Sequence, residues 1–287
     1  MQVWQHTANQ ELLINLCTYP IFGKMLKTTH QLLKMENVTR NKEMDVRIYA
    51  ERQVMGEDAA REVSLKIEEL LEKQPAVNII FAAAPSQNEF LAYLREKKNI
   101  NWKRVNAFHM DEYLFLADDK PQRFGNFLKE RLFDKVPLLS VNYINGNPDD
   151  IEEECRRYTA LLRMSPADIV CMGIGENGHL AFNDPPVADF NDPLWVKQVE
   201  LDEICRMQQV NDGCFNTLLQ VPALALTLTI PALMYARYIY CMVPGETKSR
   251  AVFNTLNMEI GEQYPSTILR KHPHAILFLD QESSMLL

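Results

Sequence analysis

Short apolar runs alternate with amphipathic stretches of helical period from residue 45 onward, and this restricts the chain to few architectures. "DVRIYA" (45–50), "AVNIIFAAA" (76–84), "RVNAFHM" (104–110), "ADIVCMGIG" (167–175), "ARYIYCMV" (236–243) and "HAILFLD" (274–280) read as strands. Between them, "GEDAAREVSLKIEELLEK" (56–73), "QNEFLAYLREKK" (87–98), "FGNFLKERLFDKV" (124–136), "DIEEECRRYTALLRM" (150–164) and "KSRAVFNTLN" (248–257) read as helices. The strands carry apolar runs rather than strict alternation, as strands covered on both faces do. The pattern predicts an α/β fold: a three-layer, Rossmann-like, doubly wound and mostly parallel sheet with helices on both faces.

No internal repeat or linker interrupts residues 45–287, which therefore read as one domain. Residues 1–44 show no clear strand period and read as an N-terminal extension, either a helical arm or a partly disordered leader. The stretch 185–220, with Pro185, Pro186, Pro193 and Gly213, is the least regular and reads as a lid. A net charge of −8 and a pI near 5.4 leave no basic face for nucleic acid. No apolar run reaches membrane-spanning length. The six cysteines form no C-x-x-C pair, which argues against a zinc ribbon or redox motif and suits a reducing cytoplasm. Cys171 and Cys241 lie inside apolar runs and read as small buried hydrophobes.

In an open parallel sheet, ligands bind beyond the carboxyl ends of the strands. Attention therefore falls on "APSQNE" (84–89), "MDEY" (110–113), "GIGENGH" (173–179) and "VPGETK" (243–248). The third has glycines at 173, 175 and 178 and fits G-x-G-x-x-G, the form of a dinucleotide-binding turn. That turn needs a helix opening within the glycines. The chain instead continues "HLAFNDPPVADFNDP", with three prolines in fifteen residues, so the glycines read as a frame for His179 and Asn177. Asp184 returns a carboxylate toward His179, making a proton-transfer unit. Asp111 and Glu112 end another strand as a second pair of acids. Lys248, opening a helix after a strand, is suited to a phosphate.

These residues carry a resemblance. "FHMDEYLFL" (108–116), "INGN" (144–147), "ECRRY" (154–158), "GIGENGHLAFNDP" (173–185), "VPALALTLTI" (221–230) and "PGETKSRA" (244–251), in that order, resemble the glucosamine-6-phosphate deaminase/isomerase family. The related 6-phosphogluconolactonases share the glycine–histidine turn but usually continue it with a Ser-Leu-Phe-Pro type segment, where this chain has "AFNDP". The resemblance implies conversion of an amino-sugar phosphate, on a glucosamine or galactosamine frame, to a ketose phosphate and ammonia, without metal or redox cofactor. It implies His179 for ring opening, Asp111 as the base between C2 and C1, and Glu112 as a less certain neighbour. Asp184 stands where the family commonly has Glu. Asn177 matches a position that is Asp or Asn, and as an amide it can only orient or hydrogen-bond. Lys248 and Arg206 match ligand-contacting residues, and the resemblance also implies self-association between copies.

The largest departure is "FAAAPSQNEF" (81–90), where the family has a glycine-rich phosphate loop. Ser86 and Gln87 are the candidates to contact ligand there, and Glu89 brings a negative charge. Two other readings stay open: a sugar-binding homologue without catalysis or with different specificity, and a lactonase-like hydrolase.

Overall fold

The structure is a computed structural model and describes residues 37–41 and 44–287. Most of the arm expected over 1–44 lies outside the described residues; its described part forms a strand. The chain runs β1 (Asn37–Asn41), β2 (Met44–Tyr49), α1 (Arg52–Lys73), β3 (Val77–Phe81), α2 (Asn88–Arg95), β4 (Val105–His109) and β5 (Asp111–Tyr113). It continues through α3 (Phe124–Leu128), β6 (Ser140–Asn142), α4 (Ile151–Met164), β7 (Ile169–Met172), β8 (Val196–Glu200) and α5 (Glu203–Asn211). Last come β9 (Leu224–Leu228), α6 (Ile230–Met234), β10 (Tyr238–Val243), α7 (Ser249–Asn257) and β11 (Ala275–Asp280).

The main sheet has the order β1-β2-β11-β10-β7-β3-β4-β6, with every pair parallel except β1 against β2. Strand side chains divide between two cores with period two. Ile79 and Phe81 join α1 and α2 on one face, while Ile80 joins α4 on the other. Ile169 and Cys171 separate from Val170 and Met172 in the same way. Each large apolar side chain so buried contributes about 1.5–3 kcal/mol, which explains why consecutive strand positions are apolar in β3 and β7. The expected three-layer α/β fold is therefore present. Asp150 caps α4 by accepting from the Glu153 N–H at 3.0 Å, below the acidic first turn seen in the sequence.

Two readings are corrected. The stretch 185–220 is not wholly irregular: it contains β8 and α5, and β8 joins β9 and β5 in a separate antiparallel sheet. Only Val196 and Val199 are buried in β8, and its apolar partner β9 lies more than twenty residues away in sequence. Helix α1 begins at Arg52 rather than 56. Gly56 lies inside it because a Cβ there would stand 2.6 Å from the Glu89 Cβ, so the glycine permits close packing on α2. Among the described residues no helix is long and apolar enough to cross a membrane.

His109 pins the end of β4. Its Nε2 accepts from the Ile144 N–H at 2.9 Å, so Nδ1 carries the proton and donates to the Asp111 carbonyl at 2.9 Å. Burial holds its pKa down, to about 4 from 6.5. As pH falls, the unfolded chain takes up this proton first. The neutral ring's contribution is thus complete above about 6.5 and is lost toward pH 4, a change of about 3 kcal/mol. Urea unfolding at several pH values is expected to show wild type losing about that much more stability than His109→Gln over this window; parallel curves would contradict it. Phe115 (φ 62) and Ala181 (φ 49) are the non-glycine residues in the left-handed region among the described residues, and Phe115 is 63% exposed. Phe115→Gly is expected to raise stability by about 1 kcal/mol in the same assay.

Candidate active site

Strands β10, β7, β3 and β4 lie side by side, and the chain reverses its direction of sheet growth between β3 and β7. Their carboxyl ends surround a cavity of about 240 Å³ lined by Ser86, Asp111, His179 and Lys248, with Gln208 of α5 and Asp212 just past its end forming a further wall. A more open hollow of about 780 Å³ lies at the amino ends of β2, β11 and β10, around Asp45, Ala275 and Tyr238. The expected residues Asp111, His179 and Lys248 all line the first.

Asp111 and Glu112 are adjacent and buried but differ in their partners. The Glu112 carboxylate accepts the backbone N–H groups of Tyr113, Phe124 and Gly125 at 3.0, 3.0 and 2.9 Å, with Arg123 at 3.9 Å. These donors work against the burial that raises its pKa. Burial and the Glu112 charge push the Asp111 carboxyl well above the usual carboxylate range. Asp111 lines the cavity, whereas Glu112 is 1% exposed and faces the backbone.

The glycine turn holds His179 from behind. Gly175 N–H donates to the His179 carbonyl at 3.0 Å, and Gly178 takes φ +88 to close the loop. Asn177 Oδ1 accepts from the His179 backbone N–H at 3.0 Å, and Asn177 Nδ2 donates to Asp184 at 2.7 Å. His179 Nδ1 lies 2.9 Å from Asn177 Oδ1 and 3.0 Å from Asp184 Oδ1, both acceptors, so Nδ1 carries the proton. Nε2 then keeps its lone pair for chemistry. Burial alone would raise the Asp184 pKa, but His179, Asn177 and the Cys205 thiol bring it below its ordinary value. Cys205 belongs to α5, and its sulfur, a His179 nitrogen and an Asp184 oxygen all lie within 4.8 Å of one another. Burial keeps that sulfur a protonated thiol.

A carboxyl poised to take a proton, an oriented imidazole and a buried lysine in one cavity suit proton transfer on a small anionic substrate. A family model described as glucosamine-6-phosphate isomerases/6-phosphogluconolactonase matches residues 50–278. The chain belongs to this family. It is 35% identical over 217 residues to the glucosamine-6-phosphate deaminase of Bacillus cereus (strain B4264), covering 76% of this chain and 80% of that protein. The same values hold for the deaminase of Bacillus anthracis (strain A0248). Among solved structures, a monomeric glucosamine-6-phosphate deaminase superposes with a TM-score of 0.77 at 27% identity, covering 84% of this chain and 99% of that one. The 6-phosphogluconolactonase of Thermotoga maritima shares the fold, with a TM-score of 0.67 at 20% identity over 82% of this chain and 98% of that one.

Within this family member the expected site residues divide into three groups. Asp111, His179, Lys248 and Ser86 line the cavity. Asn177 and Asp184 stand behind His179. Glu112, Gln87 and Arg206, expected to touch substrate, lie outside the lining. Glu112 is occupied by backbone amides. Gln87 is 1% exposed and donates to Ser86 Oγ at 3.1 Å and the Met242 carbonyl at 3.3 Å, bracing the loop. Arg206 Nη2 is taken by the Leu218 and Val221 carbonyls at 2.8 and 2.9 Å, which tie α5 to the turn before β9. The sequence reading missed Arg52, Gln208 and Asp212. Arg52 lies just past the end of β2, so the strand-end rule extended to that strand points to it; Gln208 and Asp212 gave no such signal.

A Cβ on Gly175 would lie 2.1–2.3 Å from atoms of the His179 ring. Gly175→Ala must therefore displace the imidazole. It is expected to lower kcat about 100-fold or more while circular dichroism stays native. Retained activity in a folded variant would remove His179 from the chemistry.

Proposed function

We propose that the protein isomerises and deaminates an aminohexose 6-phosphate, releasing a ketose phosphate and ammonia. The observation that carries this reading is the buried Asp111 carboxyl lining the same cavity as an oriented His179. His179 Nε2 relays the proton between the anomeric hydroxyl and the ring oxygen, opening the ring. The Asp111 carboxylate then takes the proton from C2 and returns it to C1, so an enolamine becomes a ketimine. Water adds at C2, the carbon–nitrogen bond breaks, and ammonia leaves. A buried carboxyl that holds its proton more tightly than a free one suits both halves of the transfer. Asp184 and Asn177 hold the His179 tautomer, and Lys248 receives the phosphate.

The lactonase reading has less support, since lactone hydrolysis gives no task to a high-pKa Asp111 at the end of "MDEY". We further take residues 45–287 as a single catalytic unit of a cytoplasmic enzyme. The self-association implied by the resemblance is set against a relative described as monomeric.

Purified protein is expected to release ammonia from glucosamine 6-phosphate or galactosamine 6-phosphate, and far more slowly from the unphosphorylated sugars. Asp111→Asn is expected to lower kcat by about 10²–10⁴-fold. No ammonia from any of the four sugars, or an Asp111→Asn variant of full activity, would refute the assignment.

A further inference from the structure

We propose that Arg52 is a phosphate-binding residue of this cavity, held at rest by Glu89 and transferred to the substrate's phosphate on binding. The proposal rests on the sugar-phosphate reading above.

The loop after β3 offers few backbone donors. Residues 82–88 contain no glycine, Pro85 has no N–H, and the Gln87 N–H is spent on the Ala84 carbonyl at 2.9 Å. Recognition of an anion here falls largely to side chains. The cations in the cavity lining are Arg52 and Lys248. Lys248 is only 7% exposed, and the carboxylates of Asp212 and Glu176 act on its charge. Lys248 alone faces two opposing charges, which leaves a phosphate dianion poorly compensated. A second cation alters that balance, and Arg52 is the one available in the lining.

Packing places Arg52 there. It opens α1, and one turn later Gly56 lets α1 approach the first turn of α2, where a Cβ would stand 2.9 Å from the Phe90 backbone nitrogen. This contact sets the guanidinium beside the Pro85–Gln87 turn, donating to the Pro85 carbonyl at 3.2 Å and to Glu89 at 2.8 Å. The side chains of Arg52 and Glu89 are 44% and 20% exposed. A partly exposed pair of this kind is weak and is exchanged readily. A guanidinium fork on phosphate oxygens is a stronger, bidentate arrangement. Glu89 therefore keeps Arg52 oriented without competing strongly with the ligand.

The test uses the full chain and its Arg52→Ala, Arg52→Lys and Glu89→Gln variants, with calorimetric binding of inorganic phosphate measured beside steady-state kinetics. Arg52→Ala is expected to weaken phosphate binding about tenfold or more, Arg52→Lys less, and Glu89→Gln to tighten it. With glucosamine 6-phosphate, Arg52→Ala is expected to raise KM about tenfold and leave kcat within about twofold, since the contact is made equally in ground and transition states. Phosphate binding lost in Arg52→Ala from a protein that releases no ammonia would support the phosphate site while overturning the deaminase reading. Equal phosphate affinity in wild type and Arg52→Ala, or none in wild type, would overturn the proposal. So would a Glu89→Gln variant weakened as much as Arg52→Ala, because the pair would then be purely structural.

Discussion

The buried carboxylate of Glu112 is the contact on which the catalytic edge depends. By accepting three backbone amides, from Tyr113, Phe124 and Gly125, it joins the end of β5 to the first turn of α3. A buried carboxylate is costly unless such donors satisfy it. Asp111, one residue earlier, has no comparable set and faces the cavity. The same carboxyl chemistry thus takes two roles. Glu112 holds backbone and charge in place, and its charge adds to burial in making ionisation of Asp111 harder.

The other half of the site is a turn rather than a strand end alone. The glycines from 173 to 178 do not introduce a helix; they let the chain fold back tightly enough for the His179 ring to lie over Gly175. Asn177 then bridges ring and acid, accepting from the histidine backbone and donating to Asp184. An amide at this position serves as well as it does because its two ends have opposite hydrogen-bonding character. Cys205 brings α5 against the same acid, so a region whose sequence reads as a loose lid is attached to the reacting group's own support.

Much of this is legible in the sequence. The apolar runs at β3, β7, β10 and β11 and the helical period of α1 and α4 predict a doubly wound sheet, because both signals are local. Asp111, His179 and Lys248 fall in one crevice by the rule that parallel strands present their carboxyl ends together. The small sheet β5-β9-β8 is not legible: its strands are only three to five residues long and its pairing joins distant segments. Nor is the withdrawal of Arg206 and Glu112 from the cavity, since a charged residue near a site motif reads alike whether carbonyls, amides or a ligand take its hydrogen bonds.

The sequence by itself determined the layer architecture, the order of chemical groups along the strand ends and the rejection of a dinucleotide turn, all of which come from periodicity and turn chemistry within a few residues. Only the tertiary structure decided which acid is satisfied and which is poised, and which cation faces the cavity. Those outcomes depend on donors and charges supplied from other elements: Phe124 and Gly125 to Glu112, Glu89 and the close approach at Gly56 to Arg52. Burial and hydrogen-bond partnership are properties of assembled neighbours, and no single stretch of chain carries them.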